Sequence, residues 1–188
     1  MIEDDPARVA SSRRVYLTRL TPAHAPDLHR WFHDPGIWGH LRDTTVAMSG
    51  EQMDEWVRQV QNDDTFRLYA IYLKQGDVLI GYGGFKNFNT EDRTAEVGLT
   101  LGEKQYHGRG LGAESLWLLC KVGFEALNLC NILAENYADN PIAIHNARKV
   151  GFRFYGTRRQ CRRIGDKVLD VHYSDMLRGE LIAPPERD

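Results

Sequence analysis

A chain of 188 residues, 42% hydrophobic and 27% charged, is long enough to bury a core and is expected to fold as a single domain over 1–188, with its core at about 14–180. A net charge of −2 lacks the basic excess of a nucleic-acid binder, and no apolar run approaches the roughly 18 residues of a bilayer span, so neither nucleic acid nor membrane is an expected partner. Three cysteines without metal-ligand spacing and an acidic N-terminus unlike a signal peptide fit a cytoplasmic protein with reduced thiols.

Residues 1–12 read as a loose leader and Arg14–Leu20 as a short strand. Thr21-Pro22 then opens a helix, a hydroxyl cap followed by proline, with Leu28, Trp31 and Phe32 as its apolar stripe. Asp34-Pro35-Gly36 ends it. His29 and His33 stand four apart, a spacing that zinc can use, but without a third ligand they read as surface histidines, and no metal is expected. Ser49 and Gln52 form a capping-box pattern ahead of a second helix, whose face carries Met53, Trp56, Val57 and Val60.

Phe66–Leu73 and Val78–Phe88 are rich in β-branched and aromatic residues around a polar turn and read as a hairpin. Thr94–Leu101 adds a third antiparallel strand. After the segment Gly102–Ser115 come a helix running to about Asn128, a strand Ile132–Tyr137 and a helix Asn140–Val150, making one parallel crossover. A hairpin of Phe152–Cys161 and Val168–Leu177 closes the chain, with Arg158, Arg159, Arg162 and Arg163 read as a solvated strand face, against the alternative of a site for an acidic partner. The tail from Ala183 reads as disordered. The fold class is α+β, a mixed and mostly antiparallel sheet with helices on both faces.

Gly102–Ser115 is the stretch with chemistry in it. Gly108, Gly110 and Gly112 alternate with Arg109 and Leu111, so the backbone can turn tightly and approach a ligand where a Cβ would block it. The following helix begins with unpaired N–H groups and the positive end of its dipole. The combination suits a phosphate or pyrophosphate, against the plain alternative of a turn that only joins strand to helix. A dinucleotide fold needs G-x-G-x-x-G after a first strand, a nucleotide loop needs Gly-Lys-Ser/Thr, and neither pattern is present.

His107-Gly-Arg-Gly-Leu-Gly112 resembles the pyrophosphate loop of the GNAT N-acetyltransferases, Q/R-x-x-G-x-G/A. Asn140 to Phe152 resembles the family's N-x-x-A-I-x-x-Y-x-K-x-G-F segment, and the start of the chain is similar to the branch of ribosomal-protein N-terminal, polyamine and antibiotic acetyltransferases. His107 stands where Gln or Arg is usual, and Ala147 where the family often has a tyrosine that protonates the departing thiolate.

The resemblance implies acetyl-CoA as cosubstrate and direct acetyl transfer to a primary amine in a ternary complex, the amine being a peptide N-terminus, a polyamine or another small molecule. A homodimer is one assembly it allows. Backbone groups of Leu99, Thr100 and Leu101 would pair with the pantetheine arm, and the stretch His107, Gly108, Arg109, Gly110, Leu111, Gly112 and Ala113 would hold the pyrophosphate. Asn140 and Ala143 would lie beside the pantetheine. Glu96 is the expected proton acceptor for the amine. Without a tyrosine at 147, the thiolate's proton would come from water, from Tyr137 or from the ammonium product. The alternative function is a non-catalytic acyl-CoA-binding module.

Overall fold

The computed structural model describes residues 8–38 and 48–183. The first part of the expected leader, 1–7, and the tail 184–188 lie outside the described residues. Strands β1 (Arg8–Ser11) and β2 (Val15–Arg19) are followed by helices α1 (Ala25–Phe32), α2 (Pro35–Trp38) and α3 (Gly50–Asn62). Then come β3 (Arg67–Leu73), β4 (Val78–Asn89), β5 (Thr94–Leu101), α4 (Leu111–Glu125), β6 (Asn131–Tyr137), α5 (Pro141–Val150), β7 (Arg153–Ile164) and β8 (Lys167–Leu177). The eight strands form one sheet in the order β1-β2-β3-β4-β5-β6-β8-β7. Every neighbouring pair is antiparallel except β5 with β6.

Two departures from the sequence reading have local causes. Residues 8–11 are an edge strand rather than part of a loose leader, held by antiparallel pairing to β2 and by the Arg8 guanidinium lying 4.0 Å from the centre of the Tyr16 ring. Asp34-Pro35-Gly36 does not simply stop the first helix. The Asp34 carboxylate accepts the Gly36 N–H at 2.8 Å, its carbonyl accepts that of Ile37, and proline fits the first helical position, so a new turn of helix starts there.

The alternation of β3 shows how the layers are built. Tyr69 and Ile71 point into a core shared with α4 and α5, while Leu68, Ala70 and Tyr72 point into a second core under α1 and α3. Helix α4 lies in the larger core and buries Leu111, Ala113, Leu116, Leu118, Leu119, Cys120, Val122 and Phe124 around most of its circumference. It starts at Leu111, so the last three residues of the expected loop are its first turn. On the opposite face, α1 and α3 cover the sheet only as far as β4, through Phe32, Trp56 and Tyr82. Beyond that wall the β5–β8 half carries polar side chains over an open hollow.

Candidate active site

The site begins where two strands part. Thr94, Ala95 and Glu96 of β5 pair with Asn131, Ile132 and Leu133 of β6, and the register stops there. Strand β5 nevertheless continues to Leu101 and β6 to Tyr137, leaving a cleft between two strand edges in the middle of the sheet. The Gly102 N–H donates to the Ile80 carbonyl at 2.9 Å, which marks a hydrogen-bonded antiparallel pair. Alternation from that bond directs the peptide groups of Thr100 and Gly98 at β4, and those of Leu99 and Leu101 at the cleft. Of the three residues expected to present backbone there, Thr100 has its peptide groups on the other edge. The His107 ring nitrogen Nε2 donates to the Leu101 carbonyl at 2.9 Å, closing the far end.

The glycine segment stands over that end. Gly108 and Gly110 have φ of 74° and 77°, left-handed values that a side chain would strain, and a Cβ on Gly108 would point into open space. Gly110 is the N-cap of α4 and has no side chain to bind the first N–H groups of the helix. Those of Leu111, Gly112 and Ala113 therefore remain available at the positive end of a fifteen-residue helix. The side chains of Leu111 and Ala113 are buried in the core, so these residues can act only through their backbone. Gly112 is hemmed by Asn146 of α5, whose Nδ2 is 2.9 Å from where a Cβ would sit.

A buried ion pair fixes this cradle, and no local pattern announces it. Glu114, 7% exposed, accepts from the Arg14 main chain at 2.8 Å, from Arg14 Nε at 2.7 Å and from the Ser12 hydroxyl at 2.7 Å. Burial alone would raise its pKa, but these hydrogen bonds and the guanidinium prevail and hold it below the usual carboxylate range. Arg14 Nη1 also donates to the Arg109 carbonyl at 3.0 Å, tying the turn to the edge of the sheet. At its other end the segment is held by Glu103, which accepts from Arg30 and from the Trp31 indole, and by Lys104 on Asp34.

Glu96 is the residue at which the cleft opens, and it is 3% exposed. Its carboxylate accepts from the Asn87 amide at 3.2 Å and lies 3.6 Å from Lys86 Nζ. It lines a cavity of about 470 Å3 together with Asn87, Asn131, Leu133, Glu135, Tyr155 and Asp175. Partial burial, with Asp175, Glu135 and Glu96 close by, pushes the Tyr155 phenol above its ordinary range, so it is a hydrogen-bond donor at neutral pH. Asp175 accepts from Asn131 at 2.8 Å. A larger hollow of about 650 Å3 beside α3 is lined by Glu55, Arg58, Gln59, Asn62 and Asp63, none of which lines the Glu96 cavity.

A family model described as an acetyltransferase (GNAT) domain matches residues 14–153. The chain belongs to the GNAT acetyltransferases. The Bacillus licheniformis protein named N-acetyltransferase p20 is 25% identical over 171 residues, 90% of this chain and 96% of its own. Among solved structures, spermidine N-acetyltransferase from Vibrio cholerae in complex with CoA and spermine superposes with a TM-score of 0.82 at 20% identity, over 88% of this chain and 96% of that one. A GNAT-family acetyltransferase from Bacillus anthracis gives a TM-score of 0.78 at 19% identity, over 90% and 98%.

The remaining residues of this GNAT acetyltransferase divide around the cleft. The Asn140 side chain caps α5 by accepting the Ala143 N–H at 3.1 Å, so these two are brought together by the cap itself. Ala147 is 3% exposed and packs into the core with α4, and His145 is exposed. Tyr137, 4% exposed, ends β6 beyond the point where the strands part, and period-two alternation puts it on the sheet face of Leu133 and Glu135. Tyr155, Glu135 and Asp175, which the sequence reading did not single out, reach the cavity through the pairing of β6 with β8 and β8 with β7. His29 and His33 lie with ring centres 4.2 Å apart and planes tilted by 38°, and His33 Nδ1 donates to the His29 carbonyl at 2.8 Å. Among the described residues no group of three or more His, Cys, Asp or Glu could hold a metal ion, and no helix is long and apolar enough to cross a membrane.

Proposed function

We propose that this protein transfers the acetyl group of acetyl-CoA to a primary amine by direct attack while both are bound. The observation that carries the reading is the parting of β5 and β6 at Glu96, directly before an anion cradle made of backbone N–H groups. The cleft edge fits an extended pantetheine arm, because Leu99 and Leu101 offer strand hydrogen bonds there as a sheet edge does to a peptide. The left-handed turn at Gly108–Gly110 and the start of α4 fit a pyrophosphate, with Arg109 exposed beside them.

Acetyl-CoA supplies an activated acyl thioester. A cleft-facing N–H of Leu99 or Leu101 polarises the carbonyl and is aimed at the oxygen that gains charge. The amine comes in from the cavity side, where Glu96 takes the proton of the ammonium form, directly or through a water held with Asn87. Lys86 Nζ, 3.6 Å away, faces the same carboxylate. Asn140 and Ala143 flank the cleft at the start of α5. The thiol needs little help to leave, since a model thiol has a pKa of about 8.5, so activity does not require a tyrosine at 147. Tyr137 is the side-chain candidate for a proton donor, with water and the ammonium product as the other sources.

The test combines calorimetric titration of acetyl-CoA with release of CoA thiol over a panel of peptides, polyamines and amino sugars. Binding together with turnover of at least one amine supports transfer. Tight binding without turnover of any amine overturns it in favour of an acyl-CoA-binding module, and no binding overturns both.

A further inference from the structure

The cavity in front of Glu96 is bordered on its far side by Tyr155 and Asp175 of the β7–β8 hairpin, and arginines follow further along the same hairpin. Strand β6 pairs with β8 only up to Tyr137 and Val171, so both hairpin strands run on past it. Cross-strand partners share a sheet face, and Glu135 is opposite Tyr173, Tyr137 opposite Val171, and Val171 opposite Arg158. Arg158 is thereby placed on the face that carries Glu135. Arg162, opposite Leu169, is on it too, since its Nη2 is 4.0 Å from Glu135 Oε2. Arg162 Nε is buried with no hydrogen-bond partner, whereas Arg158 is exposed. Two of the three carboxylates of the cavity already face a cation, Glu96 with Lys86 and Glu135 with Arg162. A polycation thus finds two of the three carboxylates already facing a cation, and arginines where its distal end would lie.

We propose that Arg158 and Arg162 set acceptor choice, favouring a peptide α-amine followed by acidic residues and rejecting polyamines. The proposal rests on the amine-acetyltransferase reading above. From β5 to β7 is three strand spacings of ~4.8 Å, or ~14 Å across the sheet, and Arg158 stands level with Tyr137, ~13 Å further along β6 than Leu133, the partner of Glu96. With its amine at Glu96, an extended peptide advancing ~3.5 Å per residue brings its second to fourth side chains within reach of the two guanidiniums. Carboxylates there form charge-assisted hydrogen bonds with the exposed Arg158 and with the accessible end of the Arg162 guanidinium. A second ammonium in the same place meets like charge, which suppresses the wrong partner.

Three hexapeptides with a free N-terminal serine followed by two glutamates, two glutamines or two lysines, together with spermidine, decide the matter. For the wild type, kcat/KM is expected to fall from the glutamate to the glutamine to the lysine peptide, by tenfold or more between the extremes, with spermidine at the low end. Arg158→Glu, an exposed change that leaves acetyl-CoA affinity intact, is expected to reduce the span below threefold. Preference for spermidine or the lysine peptide, or a span unmoved by Arg158→Glu, overturns the proposal. If no amine is acetylated, calorimetric binding of the four compounds to the CoA-loaded protein still ranks them. The same ranking then upholds the charge selection while the transferase reading falls, and equal or absent binding overturns both.

Discussion

The two halves of the site are built from different materials. On the proposed cofactor side, from Leu99 to Ala113, the useful groups belong to the backbone: cleft-facing peptide groups of β5, two left-handed glycines and the open N-terminus of α4. On the acceptor side the useful groups are side chains, Glu96, Glu135, Tyr155, Asp175 and the hairpin arginines, drawn from four strands. Backbone chemistry tolerates change in side chains as long as conformation is kept, and the left-handed turn forms here with His107 at its start. Side-chain chemistry makes the opposite trade. The acceptor half can be re-specified by single substitutions that leave the fold alone.

The sharpest way to break that contrast is Gly110→Val. A branched side chain at φ 77° strains the N-cap and crowds the anion site, so acetyl-CoA affinity is expected to fall a hundredfold or more with the fold retained. Calorimetry on a variant with a normal melting transition checks it, and unchanged affinity would take the loop out of the site. Glu96→Gln addresses the other half. Turnover near neutral pH should drop roughly thirtyfold with little change in acetyl-CoA affinity, and the deficit should narrow at high pH as the amine deprotonates by itself. Wild-type kinetics across the pH range would make Glu96 a structural residue.

Glu114→Ala tests whether the cradle depends on its buried anchor. Removing one partner of a buried pair is expected to cost about 3 kcal/mol of stability and to weaken acetyl-CoA about tenfold as the Arg14 tie to Arg109 loosens. Its pH dependence has a definite sign. A carboxylate held below its ordinary range adds stability above roughly pH 4.3, and this is lost as pH falls through the depressed folded value. The gap between wild type and Glu114→Gln in chemical denaturation should therefore close in acid, and a gap constant down to pH 3 would mean that the ionised pair contributes nothing. The smallest effect is expected at Tyr137→Phe, about fivefold in kcat. A change under twofold would remove Tyr137 as a proton source, and tenfold or more would make it the principal one.

What could be read from the sequence follows the same division. The glycine spacing, the strand before it and the Asn140-Pro cap are local patterns, and each recurs in the structure as a left-handed turn, β5 and an N-cap. The order of elements and the single parallel crossover followed from hydrophobic periodicity. Thr100 was grouped with Leu99 and Leu101 because sequence does not tell which edge a strand residue's peptide faces; the hydrogen bond from Gly102 to Ile80 does. The contact of Arg14 with Glu114 spans 100 residues and that of Arg162 with Glu135 spans 27, and both depend on strand register. Arg158 and Arg162 looked like a solvated face because nothing local places them beside a cavity. The short β1 carries too few residues for any periodicity to show.

In the proposed reaction the two halves are filled at the same time, and the acetyl group passes straight from one to the other. Initial rates of CoA thiol release, measured while acetyl-CoA and a turned-over amine are varied together, test it directly. Simultaneous occupancy predicts double-reciprocal lines that intersect. Parallel lines would mean that CoA leaves before the amine binds, and would contradict the account.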